Sequence, residues 1–204
     1  MSTIRLIAGL LAAAVFGLSV TASAQTAAPA RLRGAITAID GKSVTIAVRD
    51  GSTANVKLAD NWTVALVVPA AMSDIKQGTF VGIASIGTDA DRSALEVVVF
   101  PDAMKGTGEG HYAWDLRPQS MMTNATVATV ASVDGANSLK VDYKGGGSQT
   151  IKVKPGTPIV TFAPGQREDA KVGAKVFVVA QKAADGSMTA GRIAVGKDGL
   201  TPPM

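Results

Sequence analysis

The stretches AITAIDGKSVTIAVRDG (residues 35–51) and ATVASVDGANSLKVDYKGG (residues 128–146) show the same order of apolar positions and turn residues. An internal match of this kind predicts a fold built from two copies of one unit. The matched positions, at an offset of 94 residues, are Ile36 with Val130, Ile39 with Val133, Asp40 with Asp134 and Gly41 with Gly135.

The match continues along the chain after one inserted residue, at an offset of 95. Val44 then corresponds to Leu139, and DIKQGTFVGIAS from Asp74 corresponds to DAKVGAKVFVVA from Asp169. We therefore interpret the chain as a tandem duplication of a unit of about 70 residues.

Apolar residues alternate with polar or small ones within each copy, which is the period of a β-strand with one buried face. Val44, Ile46 and Val48 share such a face. Asp-Gly pairs separate the segments, as in tight hairpin turns. We expect about five or six strands per copy and an all-β fold of two tandem small OB-like β-barrels joined by an ordered linker, since closure removes exposed sheet edges. A β-sandwich is the alternative.

The first residues have the composition of a secretory signal peptide. Arg5 precedes an apolar stretch, and Ala22-Ser23-Ala24 supplies a small-residue cleavage pattern. This predicts a periplasmic protein with no transmembrane segment after cleavage. The expected boundaries are 1–24 for the signal peptide, 25–30 for a flexible N-terminal segment, 31–100 and 126–196 for the two barrel repeats, 101–125 for the aromatic and Gly-rich linker, and 197–204 for a C-terminal tail.

Charge and cysteine content narrow the range of partners. Removing Arg5 with the signal peptide leaves 19 of the 20 basic residues against 16 acidic ones, a net charge of +3. The basic residues are scattered, whereas barrels that bind single-stranded nucleic acid need a basic groove lined by aromatic rings. We therefore expect no nucleic-acid partner. The chain contains no cysteine, so disulfides do not contribute to its stability.

The first copy carries the pattern G-x-I-x-x-I-D-G-x-x-(V/L)-x-V, followed by D-I-K-Q-G at 74–78. Its residues are Gly34, Ile36, Ile39, Asp40, Gly41, Val44 and Ile46. The second copy has Ala128 at the position matched to Gly34. In this pattern, and in the linker EGHYAWDLRPQSMMTNATV, the chain resembles an uncharacterised family of exported bacterial proteins with tandem OB-like barrel repeats, a domain of unknown function.

Some members of that family are labelled metal ABC transporter permeases. A permease needs several apolar spans of about 20 residues each. This chain has a single apolar stretch, within the predicted signal peptide, so we do not carry that label over to it.

The segment PDAMKGTGEGHYAWDLRPQSMMTNA, residues 101–125, belongs to neither copy and exceeds the usual connection of about 4 to 6 residues. If it is extended, Glu109, His111 and Asp115 point to one side, and Tyr112 and Trp114 point to the other. We expect the aromatic residues to hold this linker in order across the junction between the barrels.

Three interpretations of the linker remain open. In the structural one, Tyr112 and Trp114 fill the groove between the barrels with their polar tips hydrogen-bonded, and His111 is a satisfied interface histidine. In the second, Tyr112, Trp114 and Arg117 bind an envelope protein, a peptide, a glycan or another small ligand.

The third interpretation is a metal ion. One imidazole with two carboxylates suits zinc or iron, and imidazole with thioethers suits copper. The two ligand sets are Glu109, His111 and Asp115, and His111 with Met104, Met121 and Met122. No other cofactor is expected.

Enzymatic signatures are weak. The glycines at 106–110 are not followed by the apolar helix that a phosphate-binding turn requires. There is no cysteine nucleophile and no G-x-S-x-G elbow, and His111 is the only histidine. The sequence therefore predicts an exported, non-enzymatic binding or envelope-interaction protein of unknown ligand. The alternative is a periplasmic copper- or zinc-handling protein with its ligands around His111.

Overall fold

A computed structural model describes residues 28–133 and 135–204, and all regular structure in them is β-strand or short 3-10 turn. The strands are β1 (Ala30–Ile39), β2 (Ser43–Val48), β3 (Thr53–Pro69), β4 (Phe80–Thr88), β5 (Asp91–Val99), β6 (Gly110–Ala113), β7 (Met121–Val133), β8 (Ala136–Tyr143), β9 (Gly147–Val153), β10 (Ile159–Pro164), β11 (Lys175–Lys182) and β12 (Met188–Gly196). The 3-10 turns are Met72–Asp74, Asp102–Met104, Lys144–Gly146, Arg167–Asp169 and Lys197–Gly199. The predicted signal peptide, 1–24, lies outside the described residues.

The alternating sequence pattern places apolar side chains on one face of each strand, as expected. In β9, Ile151 and Val153 are buried while Thr150 and Lys152 are exposed. In β2, Val44 and Ile46 are buried and Ala47 is exposed. The predicted all-β fold class is confirmed. Across residues 28–133 and 135–204, the structure contains no helix that is long and apolar enough to span a membrane.

Two closed circuits of five hydrogen-bonded strands form within one twelve-stranded sheet. Barrel A consists of β1, β2, β3, β12 and β11, and the pairing of β11 with β1 closes it. Barrel B consists of β4, β7, β8, β9 and β5, and the pairing of β5 with β9 closes it. Barrel closure is therefore confirmed, and the edge strands are largely paired.

The structure differs from the expectation that residues 31–100 form one barrel and residues 126–196 the other. Each barrel takes three strands from one copy and two from the other. The cause is the length of β3, whose 17 residues extend over about 55 Å and leave barrel A before the chain turns. The chain then enters barrel B as β4, and β10 followed by β11 makes the reciprocal crossing.

An approximate two-fold axis relates the copies at the point of crossing. The end of β3 pairs antiparallel with β10, and Val67 lies opposite Phe162. These two residues correspond to each other at the offset of 95, so the axis passes between them. Around it lies a small apolar cluster that includes Val98, Val160 and Met204. Residues 197–204, predicted as a tail, thus fold back into the junction, where Met204 is only 3% exposed.

Both copies contribute to each hydrophobic core, because the strands are exchanged. The core of barrel A combines Val56 and Trp62 with Val178 and Ile193. In barrel B, side chains of β4 and β5 likewise pack against those of β7, β8 and β9. The expectation that each copy buries its own interior is therefore replaced by two shared interiors.

The register corrects the first part of the internal alignment. The Ile36 amide donates to the carbonyl of Ala174, and the Val127 amide donates to the carbonyl of Thr79. Ile36 therefore corresponds to Val127, at an offset of 91, and four extra residues lie in the β7–β8 hairpin instead of one. By the same register Gly34 corresponds to Ala125, and not to Ala128.

Candidate ligand site at the barrel junction

The linker is ordered and touches both barrels. Strand β6 adds to barrel B by pairing antiparallel with β7, with His111 opposite Thr123 and Tyr112 opposite Met122. Since β7 begins at Met121, the last five residues of the predicted linker already belong to barrel B. His111 and Tyr112 point to opposite faces of this sheet, as the extended conformation predicted.

Tyr112 is held by a hydrogen-bonded asparagine. The amide Nδ2 of Asn124 donates to the Tyr112 hydroxyl at 3.2 Å and to the carbonyl of Thr107 at 3.0 Å. Burial raises the pKa of the Tyr112 phenol above its usual value. The hydroxyl therefore stays protonated and is available as a donor near neutral pH.

Trp114 joins the linker to barrel A. The guanidinium of Arg31 lies 4.1 Å from the Trp114 ring centroid, and the Phe177 ring lies 6.4 Å away. Asp115 accepts a hydrogen bond from Arg33 Nη2 at 2.7 Å. These contacts combine cation–π attraction with a charge-assisted hydrogen bond, so they fix the linker against strands β1 and β11.

A cavity of about 240 Å³ lies beneath the linker, between the two barrels. Five aromatic rings line it, and methionine side chains from the linker, β7 and the end of the chain complete its surface. The aromatic residues are Phe100, Tyr112, Trp114, Phe162 and Phe177, and the methionines are Met104, Met122 and Met204. Residues from both copies and from the linker thus form one apolar chamber.

Two residues of this lining carry buried polar atoms that have no hydrogen-bond partner among the described residues. They are the Trp114 indole Nε1, a donor, and the Asn124 Oδ1, an acceptor. Leaving such a group unpaired costs about 1 to 3 kcal/mol. The expectation that the polar tip of Trp114 is hydrogen-bonded is therefore not met by the protein alone.

Gly82 makes room for this arrangement. A Cβ atom at Gly82 would lie 2.7 Å from Asn124 Oδ1 and 2.9 Å from Phe100. Any side chain at this position would displace the asparagine or the ring, because carbon atoms do not approach so closely. The backbone of β4 therefore forms part of the cavity wall.

The residues predicted to bind zinc or iron do not converge. Glu109 forms an ion pair with Lys144 at 3.7 Å, and Asp115 is paired with Arg33. His111 Nδ1 lies 2.8 Å from Thr123 Oγ1. Burial, helped by the Arg92 charge, lowers the pKa of His111, so its imidazole is neutral at pH 7. Within the described ranges, no group of three or more His, Cys, Asp or Glu side chains could hold a metal ion.

The predicted copper ligands are divided between two faces of the β6–β7 sheet. Met122 and Met104 line the junction cavity, whereas His111 is on the opposite face and stacks on Tyr143 at 6.0 Å. Met121 lies opposite Ala113 in the register, on the His111 face. The structure therefore does not bring the imidazole together with the cavity thioethers.

Arg117 lies away from the other predicted binding residues. It is exposed in a tight turn whose backbone is held by Ser120, and it does not line the cavity. Tyr112 and Trp114 are brought together at 6.2 Å between ring centroids. Two of the three residues predicted to bind a ligand or partner thus share the site.

Sequence reasoning missed most of the cavity wall. Phe100, Phe162 and Phe177 looked isolated because no other aromatic residue stands close to any of them in the chain. Strand exchange makes neighbours of the first two, with ring centroids 5.9 Å apart. No local signal indicates this, since the residues are far apart in the chain.

A second group of unpaired polar atoms lies on β5. Glu96 is fully buried, and neither carboxylate oxygen has a hydrogen-bond partner in the described residues. Burial raises the pKa of Glu96 to about 8, against the opposing influence of Arg33 and Arg49. Arg92, 5% exposed in its side chain, bonds Asp89 through Nη2 and leaves its other guanidinium nitrogens unpaired.

Comparison of the chain with protein-family models, with curated proteins and with solved structures finds no match in any of the three. The resemblance to exported proteins with OB-like repeats therefore stays a prediction. The functional argument rests on the geometry of the junction.

Proposed function

We propose that this is an exported, non-enzymatic binding protein that holds a small, mainly apolar ligand in the junction cavity. The observation that carries the proposal is the cavity itself, which is lined by aromatic rings and thioethers. Ligand sites in proteins are typically concave and apolar with a few polar groups. Thr107, Tyr112 and Asn124 are the polar, uncharged residues of its lining.

The volume limits the size of the ligand. A cavity of about 150 Å³ holds one benzene ring, whereas the junction cavity measures about 240 Å³. It has room for two fused rings or a short alkyl chain, and not for a folded peptide or an oligosaccharide. Among the small-ligand, glycan and peptide candidates from the sequence, the size favours the first.

The experiment measures binding of 2-naphthamide, a neutral two-ring amide with one donor and one acceptor group, to the full chain by titration calorimetry. We expect a dissociation constant between about 10 µM and 1 mM, in line with the burial of about a dozen ligand atoms. Val179 is 42% exposed and lines the cavity, so Val179→Trp should cover the opening and weaken binding at least about tenfold.

Val130 supplies a matched control, because it is also a strand valine, is 41% exposed, and does not line the cavity. Val130→Trp should bind the amide like the unchanged protein. Absence of binding to the unchanged protein, or equal weakening by both substitutions, would refute the proposal.

The metal-handling alternative, with ligands around His111, predicts a different result. It requires Cu(I), Cu(II) or Zn(II) to bind with a dissociation constant below about 1 µM and His111→Ala to abolish that binding. The ion pairs of Glu109 and Asp115 oppose this alternative, because a metal would have to displace Lys144 and Arg33.

A further inference from the structure

We infer that the ligand is an amphiphilic carboxylate, whose apolar body lies in the junction cavity and whose anionic head binds Arg192. This inference rests on the proposed function and specifies the chemical class of its ligand. It is carried by the position of Arg192 and by the charge balance around the linker tryptophan.

Arg192 is an exposed residue of β12 and belongs to the cavity lining. Its contact in the structure is a weak one, from Nη1 to the Met104 sulfur at 3.8 Å. In the part of the chain that the structure describes, no carboxylate lies within ion-pair distance of it. The guanidinium is thus a rigid two-pronged donor at the edge of an apolar chamber, a geometry suited to a carboxylate.

The charges nearby leave a positive surplus. Arg31 and Arg33 share the single carboxylate of Asp115, at 3.9 Å and 2.7 Å. Glu96 does not offset them at neutral pH, because burial keeps its carboxyl protonated. Arg33 Nε also donates a hydrogen bond to the main-chain oxygen of Met204. Among the described residues, three guanidinium groups therefore face one ionised side-chain carboxylate and this oxygen around the junction. A monoanionic ligand would balance part of this charge where the field is least screened.

The internal duplication shows that the fold accepts side chains of opposite charge at the position of Arg192. The strand register places Arg192 of barrel A at the position of Glu96 in barrel B, at an offset of 96. The equivalent positions thus carry opposite charges, and the arginine is the one that reaches the cavity. A structural role shared by the copies would not explain this difference.

The test compares 2-naphthoate with 2-naphthamide, which have the same shape and differ in charge. We expect the unchanged protein to bind the carboxylate about fivefold to tenfold more tightly at low ionic strength. Arg192→Gln should abolish this preference, so that the carboxylate and the amide bind to the variant with equal affinity within about twofold. Arg192→Lys should retain part of it, since the charge remains and the two-pronged geometry is lost.

Lys140→Gln is the control for net charge, because Lys140 is an exposed residue of β8 outside the cavity lining. It should keep the full preference for naphthoate. Equal affinity of the unchanged protein for both compounds would overturn the inference and leave the proposed function intact. So would a preference that survives in Arg192→Gln. Failure of both compounds to bind would refute the proposed function itself.

Discussion

The two barrels share strand order and register but differ in chemistry at one end. In barrel A that end is apolar, and in barrel B the corresponding side chains are polar. The corresponding residues are Leu32 and Thr123, Ala180 and Ser85, and Met188 and Arg92. Leu32 and Met188 pack against the barrel A core, whereas Thr123 and Ser85 are fully buried polar groups.

The difference coincides with the place where the linker attaches. Strand β6 extends barrel B at this end, and His111 lies within hydrogen-bond distance of Thr123. In the residues that the structure describes, barrel A has no sixth strand at this end, which is closed by its own apolar side chains. The polar positions are thus tolerated where the linker provides partners. The barrel fold therefore tolerates different side chains at equivalent positions of the two copies, and these differences lie where the linker attaches.

The largest expected effect concerns Glu96, whose counterpart in barrel A is Arg192. Its carboxyl ionises near pH 4.5 in an ordinary environment and near pH 8 in the fold. The free energy of unfolding should therefore decrease as pH rises through this window, by on the order of 4 kcal/mol, and stay level above it. Glu96→Gln should lose this dependence, as measured by urea unfolding at pH 4.5, 6, 8 and 9.

Arg33 and Arg49 are the charged groups that act on Glu96, and burial outweighs their influence. The variant and the unchanged protein should therefore have similar stability near pH 4.5 and differ most near pH 9. If the free energy of unfolding depends on pH in the same way for both proteins, the Glu96 carboxyl is solvated in the fold. The proposed difference between the two barrels at this position would then be wrong.

A smaller effect is expected from exchanging Met188 and Arg92. Arg92→Met removes a buried charge with unpaired donors, while its ion pair is with Asp89, which is 79% exposed. We expect stabilisation by about 1 to 2 kcal/mol, because replacing a poorly paired buried charge with an apolar side chain is often favourable. The pKa of His111 should rise, since the Arg92 charge helps to lower it.

Met188→Arg is the reciprocal change and should destabilise by about 1 to 2 kcal/mol. Asp185 stands three residues before Met188, as Asp89 stands before Arg92, so an ion pair can form in either barrel. The two positions then differ in their neighbouring side chains, which in barrel A are the apolar Leu32 and Ala180. Thermal unfolding of Arg92→Met and Met188→Arg measures the effect of these neighbours on stability. Stability changes of the same sign and size in both variants would contradict the proposed difference between the barrels.

Much of the fold follows from the sequence, because alternation and Asp-Gly turns are local signals. Val44, Ile46 and Ile151 are buried as their spacing predicts. The choice of partner strand is not local, since the same alternating face can pack inside either barrel. The four-residue insertion in the β7–β8 hairpin could not be located from the sequence, because Val127 and Val130 are both apolar and either can be matched to Ile36.

The candidate site was predictable only in its linker part. Tyr112 and Trp114 stood out as adjacent aromatic residues in a long connection, and both line the cavity. Gly82 and Phe177 reach the same cavity only because strands are exchanged. The metal hypothesis did not anticipate Arg33 and Lys144, which pair with the acidic residues and come from β1 and from the 3-10 turn after β8.

The smallest expected change concerns the connection between the copies. Lys105 is exposed, so a protease recognition sequence inserted after it can be cut in the folded protein. If each barrel needs strands from both copies, the pieces should stay together, because separating them would open two hydrophobic cores. Size-exclusion chromatography of the cut protein at micromolar concentration should therefore give one peak at the elution volume of the uncut chain. Two folded species of half the mass would show that each copy closes its own barrel. The differences between equivalent residues would then distinguish the two sequence copies, and not two barrels built by strand exchange.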